Sequence, residues 1–80
     1  HPGIEVTLID LSSSGALVET RIRLPVALPV RLIIEMRAGD EVTVDGVVLR
    51  SSLHSISAQT VTYRNAIKLF NPLDVGKLLE

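Results

Sequence analysis

The sequence predicts an all-β fold, a small antiparallel barrel or sandwich whose long strands each have one solvent-facing side. Val, Ile and Thr, which suit a pleated and half-buried surface, are abundant, whereas the helix formers Gln, Lys and Met are sparse. Apolar and polar residues alternate along residues 41–50 and 60–69 with the period of two that is typical of strands. Turn-forming residues separate these runs at short intervals, which favours strands joined by hairpins.

Alternation defines the strands and the side chains that face the core. The predicted strands occupy residues 4–10, 15–19, 30–36, 41–50 and 60–69. In the fourth strand Val42, Val44 and Val48 point to one side, and the intervening polar residues point to the other. The predicted inward residues of the fifth strand are Val61, Tyr63, Ile67 and Leu69.

The breaks between the strands contain recognisable turn chemistry. They lie at residues 12–15, 24–29, 38–40 and 51–58. Pro25 and Pro29 cannot donate to a strand ladder, so residues 24–29 are predicted to be a loop that leads into the third strand. A short C-terminal helix is predicted after Asn71 as its cap and Pro72 as its first residue, with Leu73 packing on the barrel.

Length and charge exclude several classes of protein. With 80 residues, 46% of them hydrophobic, the chain is predicted to be a single soluble domain over residues 1–80. The absence of cysteine excludes disulfides and fits a reducing compartment. No apolar run approaches the roughly 18 residues that a membrane span needs. A formal net charge of −1 argues against DNA or RNA as partners, but it allows a small anion held by a few arginines.

The sequence contains no catalytic or metal-binding pattern. His54 is the only internal histidine, and it lies in the serine-rich stretch predicted as a loop, with no third group to orient it as a base. Asp40, Glu41 and Asp45 border a strand without the spacing of a calcium loop, and they are predicted to be its solvated side. We therefore predict a protein that is not an enzyme and that has neither a metal site nor a cofactor.

One short motif, Asp10-x-Ser12-x-x-Gly15, has two interpretations. In the structural interpretation, Asp and Ser bond the backbone of a turn and Gly15 supplies a positive φ. In the functional one, Asp10 accepts the N–H donors of a guanine Watson–Crick edge and Ser12 donates to a phosphate or base oxygen. Gly15 then lets the backbone approach the ligand. The residues alone leave both open.

The motif, followed by Ala16-Leu17-Val18, resembles the D/N-x-S-x-x-G motif of PilZ domains, bacterial receptors for cyclic di-GMP built on a six-stranded β-barrel. Residues 30–34 resemble the central strand of that family, residues 46–50 its "grVvr" strand, and residues 63–69 its closing "yr.GvrF" strand before the C-terminal helix. The resemblance spans nearly the whole chain. It implies a cytoplasmic second-messenger receptor whose ligand, cyclic di-GMP, is bound by Asp10, Ser12 and Gly15. It also implies a protein partner or an attached effector domain.

The chain departs from the family pattern at three places. Ala66 stands where the family commonly has Gly and Leu69 where it commonly has Phe, and we interpret both as changes in the core. The Arg-x-x-x-Arg motif, which in the family precedes the first strand and binds the ligand's phosphates and guanines, does not occur in these 80 residues. Arg64 and Lys68 have this spacing, but alternation sends both outward from the last strand, and they are no substitute.

The missing arginines leave three interpretations open. Because the chain begins at His1, we expect it to be a piece of a longer protein in which the arginine arm precedes this residue. Alternatively, the chain is a PilZ-like barrel that has lost ligand binding and acts as a protein-interaction or oligomerisation module. A third interpretation is an unrelated barrel of the OB or SH3-like kind, in which the Asp10 side chain bonds its own backbone.

Overall fold

The computed structural model describes residues 3–73, which form one five-stranded antiparallel sheet. Its strands are β1 (Thr7–Leu11), β2 (Gly15–Thr20), β3 (Pro29–Glu35), β4 (Glu41–Ile56) and β5 (Val61–Leu69). In space they follow the order β1-β2-β5-β4-β3, with every neighbouring pair antiparallel. The prediction of an all-β fold is confirmed, with five strands in the described part of the chain.

The sheet curls, so that its two edge strands border a common apolar cleft of about 910 Å³. Leu8 of β1, residues 3–6 before this strand, and β3 line the cleft together with Val18 and Ile67 of the central strands. The buried apolar side chains of the described residues are Ala16, Val18, Val48, Ile67 and Leu69. We call the side of the sheet that carries Val18, Val48 and Ile67 the inner face, and the opposite side the outer face.

β4 is longer than the sequence predicts. Residues 51–58 are wrongly predicted as a break, since residues 51–56 continue the strand and pair with residues 61–65 of β5. Cross-strand bonds satisfy the hydroxyl groups there: Ser55 Oγ and Thr62 Oγ1 lie 2.6 Å apart. His54 consequently belongs to a strand and not to a loop, and the hairpin turn lies at residues 57–60.

The remaining boundaries are close to those predicted. Pro29 is the first residue of β3, a position where its missing N–H is tolerated. The turn at residues 38–40 is confirmed, and Gly39 adopts the left-handed conformation with φ +89°. Leu73 packs against the core as expected. The rest of the predicted C-terminal helix, residues 74–80, lies outside the described residues.

The inner face of β5 contains a polar residue that the alternation of apolar residues does not reveal. Asn65 pairs with Val18 and is fully buried. Its Nδ2 donates to Val18 O at 3.2 Å and to Thr20 Oγ1 at 2.9 Å, so it ties β5 to β2. Because Asn65 faces inward, Ala66 faces outward, and its interpretation as a core residue is wrong. Leu69 does belong to the core.

Candidate functional site

The Asp-x-Ser-x-x-Gly motif spans the end of β1, the β1–β2 turn and the first residue of β2. Ser12 N donates to Gly15 O at 2.8 Å, and Ser12 Oγ accepts from Gly15 N at 3.1 Å. Ser14 O accepts from Leu69 N at 3.0 Å, which attaches the turn to the end of β5. These bonds hold the exposed Ser12 hydroxyl in one place relative to the sheet.

Gly15 is needed for a close approach of two strands and not for a left-handed conformation. The prediction of a positive φ at Gly15 is wrong, because among the described glycines only Gly39 has one. A Cβ atom at Gly15 would lie 2.9 Å from Ile67 O, a distance that real Cβ atoms essentially never show. Any larger residue would therefore push β2 away from β5 directly beneath the motif.

A β-bulge in β1 determines the face on which Asp10 lies. Leu8 pairs with an inward residue of β2, and Asp10 pairs with the outward Leu17, so Ile9 is an extra residue with no partner in the register. Strict alternation from Leu8 would place Asp10 on the inner face, whereas the bulge turns it to the outer face. The apolar doublet Leu8-Ile9 is the trace of this bulge in the sequence.

The Asp10 carboxylate is exposed and only partly engaged. Its Oδ1 accepts from Leu11 N at 3.0 Å. This is the bond to its own backbone that the interpretation as an unrelated barrel expects. Within residues 3–73 the carboxylate has no ion-pair partner and no second hydrogen bond. Asp10, Ser12 and Gly15 are thus brought together at one end of the outer face, with acceptor capacity left on the carboxylate.

The neighbouring outward charges on β2 and β5 neutralise each other. Glu19 and Arg64 are cross-strand partners, and Arg64 Nε donates to Glu19 Oε1 at 3.0 Å. His54 Nε2 lies 3.9 Å from the same oxygen. The prediction that Arg64 and Lys68 point outward is confirmed. Arg64 is committed to Glu19, whereas Lys68 is exposed opposite Gly15 and has no ion-pair partner within the described range.

A second ion pair lies farther along the outer face, between β3 and β4. Arg31 Nε donates to Asp45 Oδ1 at 2.8 Å, and its second nitrogen, Nη2, reaches Asp45 Oδ2 at 3.3 Å. The hydrogen bond from Arg31 holds the pKa of Asp45 below its usual value.

Two other kinds of feature are not found between residues 3 and 73. No three His, Cys, Asp or Glu side chains converge there as metal ligands. That part of the chain also has no helix with the length and apolar character to cross a membrane.

Comparison with known families gives one match. The family model of the PilZ domain matches residues 2–76, which is nearly the whole chain. Comparisons with curated proteins and with solved structures give no significant match.

Proposed function

This chain belongs to the PilZ domain family, and on that premise we propose that it is a receptor module for cyclic di-GMP in a cytoplasmic bacterial signalling protein. The ligand binds on the outer face, where the β1–β2 turn presents Asp10, Ser12 and Gly15. Family membership excludes the interpretation as an unrelated OB or SH3-like barrel. The proposed module binds its ligand without transforming it.

The position of Asp10 is the observation that carries this proposal. The bulge at Ile9 moves a carboxylate from the inner face, where it would be desolvated, to a face that a ligand can reach. A carboxylate is an acceptor only, and the Watson–Crick edge of guanine offers adjacent N–H donors that match it. The oxygen that Leu11 leaves unused is available for this contact.

Ser12 and Gly15 supply the contacts next to the carboxylate. The Ser12 hydroxyl accepts from Gly15 N. Its Oγ also donates to Gly15 O at 3.2 Å, a long and weak hydrogen bond that a ligand oxygen can replace. Gly15 has no side chain to cover the turn, so a phosphate or base can lie directly against the backbone. These groups contact one guanine and its adjacent phosphate.

The anionic ligand requires cations that the motif does not contain. In the family, an Arg-x-x-x-Arg arm binds the phosphates and guanines, and these 80 residues contain no such motif. We propose that an arm from outside this chain supplies these arginines and becomes ordered against the barrel on binding. Ordering of a segment is an established way for a ligand to change how a neighbouring domain docks.

Calorimetric titration of the full-length protein with cyclic di-GMP tests the proposal. We expect binding to the wild type, and an affinity at least about tenfold lower for Asp10→Ala, because a hydrogen bond to a charged group is lost. Asp40→Ala is the control, since Asp40 is an exposed carboxylate in the turn between β3 and β4. Absence of heat at high ligand concentration, or equal affinities for the Asp10 and Asp40 variants, would contradict the proposal.

A second candidate function is that of an interaction module that has lost ligand binding. It is favoured by exposed apolar side chains near the tip of the β4–β5 hairpin, of which Ile56 is 70% and Leu53 49% exposed. This alternative predicts that the full-length protein has no Arg-x-x-x-Arg motif before residue 1. It also predicts that sedimentation velocity detects self-association that Ile56→Ser abolishes.

A further inference from the structure

β4 has two register shifts, one at Leu49 and one at His54, and the β-bulge at Leu49 has the same effect on Arg50 that the bulge in β1 has on Asp10. Val48 pairs with Ile67, both buried on the inner face, and Arg50 pairs with Ala66, so Leu49 is the extra residue. Strict alternation from Val48 would direct Arg50 inward. The bulge directs it to the outer face instead.

The two redirected residues lie in the same row of cross-strand partners. Asp10 pairs with Leu17, Leu17 with Ala66, and Ala66 with Arg50. Adjacent strands are about 4.8 Å apart, so the row spans about 14 Å measured along the sheet. The half-buried Leu17 and the small Ala66 form its low apolar floor. A carboxylate and a guanidinium therefore lie at opposite ends of one row on the outer face.

Arg50 differs from the two outer-face arginines that are held in ion pairs. Arg64 is bound to Glu19, and Arg31 is bound to Asp45. Arg50 is exposed and forms no hydrogen bond or ion pair with any residue in the range 3–73. A guanidinium is a rigid donor that fits a phosphate with two parallel hydrogen bonds. Its charge on this face is therefore available to an anion.

We propose that Arg50 binds a phosphodiester group of cyclic di-GMP, while Asp10 holds a guanine at the other end of the row. This assignment rests on the proposed receptor function. A bulge leaves one residue without a ladder partner, and bulges are enriched beside functional sites because they redirect side chains. Here two bulges on different strands move two opposite charges onto one row of one face. A single ligand that has both N–H donors and phosphates accounts for both displacements.

The test compares three variants of the full-length protein in calorimetric titrations with cyclic di-GMP at several salt concentrations. Arg50→Ala is expected to weaken binding about tenfold or more and to reduce its salt dependence, because one phosphate contact is lost. Arg50→Lys, which keeps the charge but loses the paired donors, is expected to lie between Arg50→Ala and the wild type. Arg37→Ala is the matched control, because Arg37 is an exposed arginine in the turn between β3 and β4.

The outcomes separate this assignment from the receptor function. If the wild type binds and Arg50→Ala behaves like Arg37→Ala, the role of Arg50 is overturned and the receptor function stands. If Arg50→Ala loses affinity but keeps the wild-type salt dependence, the contact with a phosphate is overturned. If the wild type does not bind, both proposals fail. A wild-type Tm is expected for Arg50→Ala, since the Arg50 side chain makes no hydrogen bond within the described residues.

Discussion

A buried polar side chain, Asn65, connects two central strands inside a mostly apolar core. Its amide nitrogen bonds Val18 O and Thr20 Oγ1, and its Oδ1 has no hydrogen-bond partner among the described residues. An unsatisfied buried acceptor typically costs about 1–3 kcal/mol. The two bonds made by the nitrogen offset part of this cost, so the donor is the part of the side chain on which the fold depends.

Asn65→Asp keeps the shape of the side chain and removes this donor. We expect roughly 3 kcal/mol or more of destabilisation at pH 7, because an ionised carboxylate would face the oxygens of Val18 and Thr20. Burial raises the pKa of the introduced carboxyl in the folded state. The variant is therefore most stable, relative to the wild type, below the unfolded Asp pKa of about 3.9, and it loses stability as the pH rises towards the raised pKa.

Urea denaturation at pH 7 and pH 4 measures this effect. Asn71→Asp is the control, since Asn71 is exposed and should tolerate the change at both pH values. An Asn65→Asp variant whose stability relative to the wild type is the same at both pH values would show that the carboxylate is not desolvated.

Gly46, like Gly15, is a position where the absence of a side chain allows two strands to approach closely. A Cβ atom there would collide with Lys68 O and crowd Ile67 Cγ2. We expect Gly46→Ala to lower the free energy of unfolding by roughly 1–3 kcal/mol, the usual cost of forcing atoms into a packed site. Gly3→Ala is the control, because nothing lies within 4 Å of its Cβ position. Equal urea midpoints for the two variants would contradict the expected collision.

At the scale of the strands, alternation in the sequence predicted which elements form but not where they change face. The inward positions of Val48 and Ile67 are confirmed, because apolar residues recur with a period of two. The bulges at Ile9 and Leu49 were not predicted, because a bulge depends on the register of the partner strand. The face of Asp10 therefore required the structure, although its motif was visible in the sequence.

The serine-rich half of β4 illustrates a second limit. Ser and His favour turns locally. Pairing with residues 61–65 of β5 overrides this local preference and extends the strand, and these partner residues lie elsewhere in the chain. Strand propensity is decided by such cross-strand neighbours more than by the residue itself. The missed residue Asn65 has the same explanation, since only the pairing with Val18 shows that it faces inward.

The ion pair between Arg31 and Asp45 connects the edge strand β3 to β4. Because its hydrogen bond lowers the pKa of Asp45 in the folded state, the stabilisation is present above the unfolded pKa of about 3.9. It is lost as the pH falls through the lowered value. We expect Arg31→Ala to lower the Tm slightly at pH 7, since both groups are exposed, and to have less effect at pH 3.

Thermal unfolding followed by circular dichroism at the two pH values checks this expectation. Arg37→Ala removes an exposed arginine without an ion pair in the described residues and should leave the Tm unchanged. A Tm difference for Arg31→Ala that grows as the pH falls would contradict the assigned role of the pair.

At the scale of the whole molecule, the described residues form a thin core. Stabilities of about 0.05–0.15 kcal/mol per residue place an 80-residue domain at roughly 4–12 kcal/mol. Between residues 3 and 73 few apolar side chains are fully buried, and the cleft bordered by the edge strands lies beside them. Each buried side chain therefore accounts for a large fraction of the total stability.

Val48→Ala tests this dependence, because Val48 is only 1% exposed. We expect a loss of about 2 kcal/mol or more, from lost burial and from the cavity left behind. Val26→Ala, at a position that is 65% exposed, should change the free energy of unfolding by less than about 0.5 kcal/mol. Similar urea midpoints for the two variants would show that the core is looser than the packing around Val48 implies.

The bulges at Ile9 and Leu49 also determine how the proposed binding face responds to changes in the length of the gene. Loss of the single codon for Ile9 or Leu49 would remove the bulge but leave Asp10 or Arg50 directly after an inward residue. The charged residue would therefore keep its present partner and stay on the outer face. Among related chains, a strand without the extra residue is thus compatible with ligand binding, provided that the charged residue keeps its partner in the register.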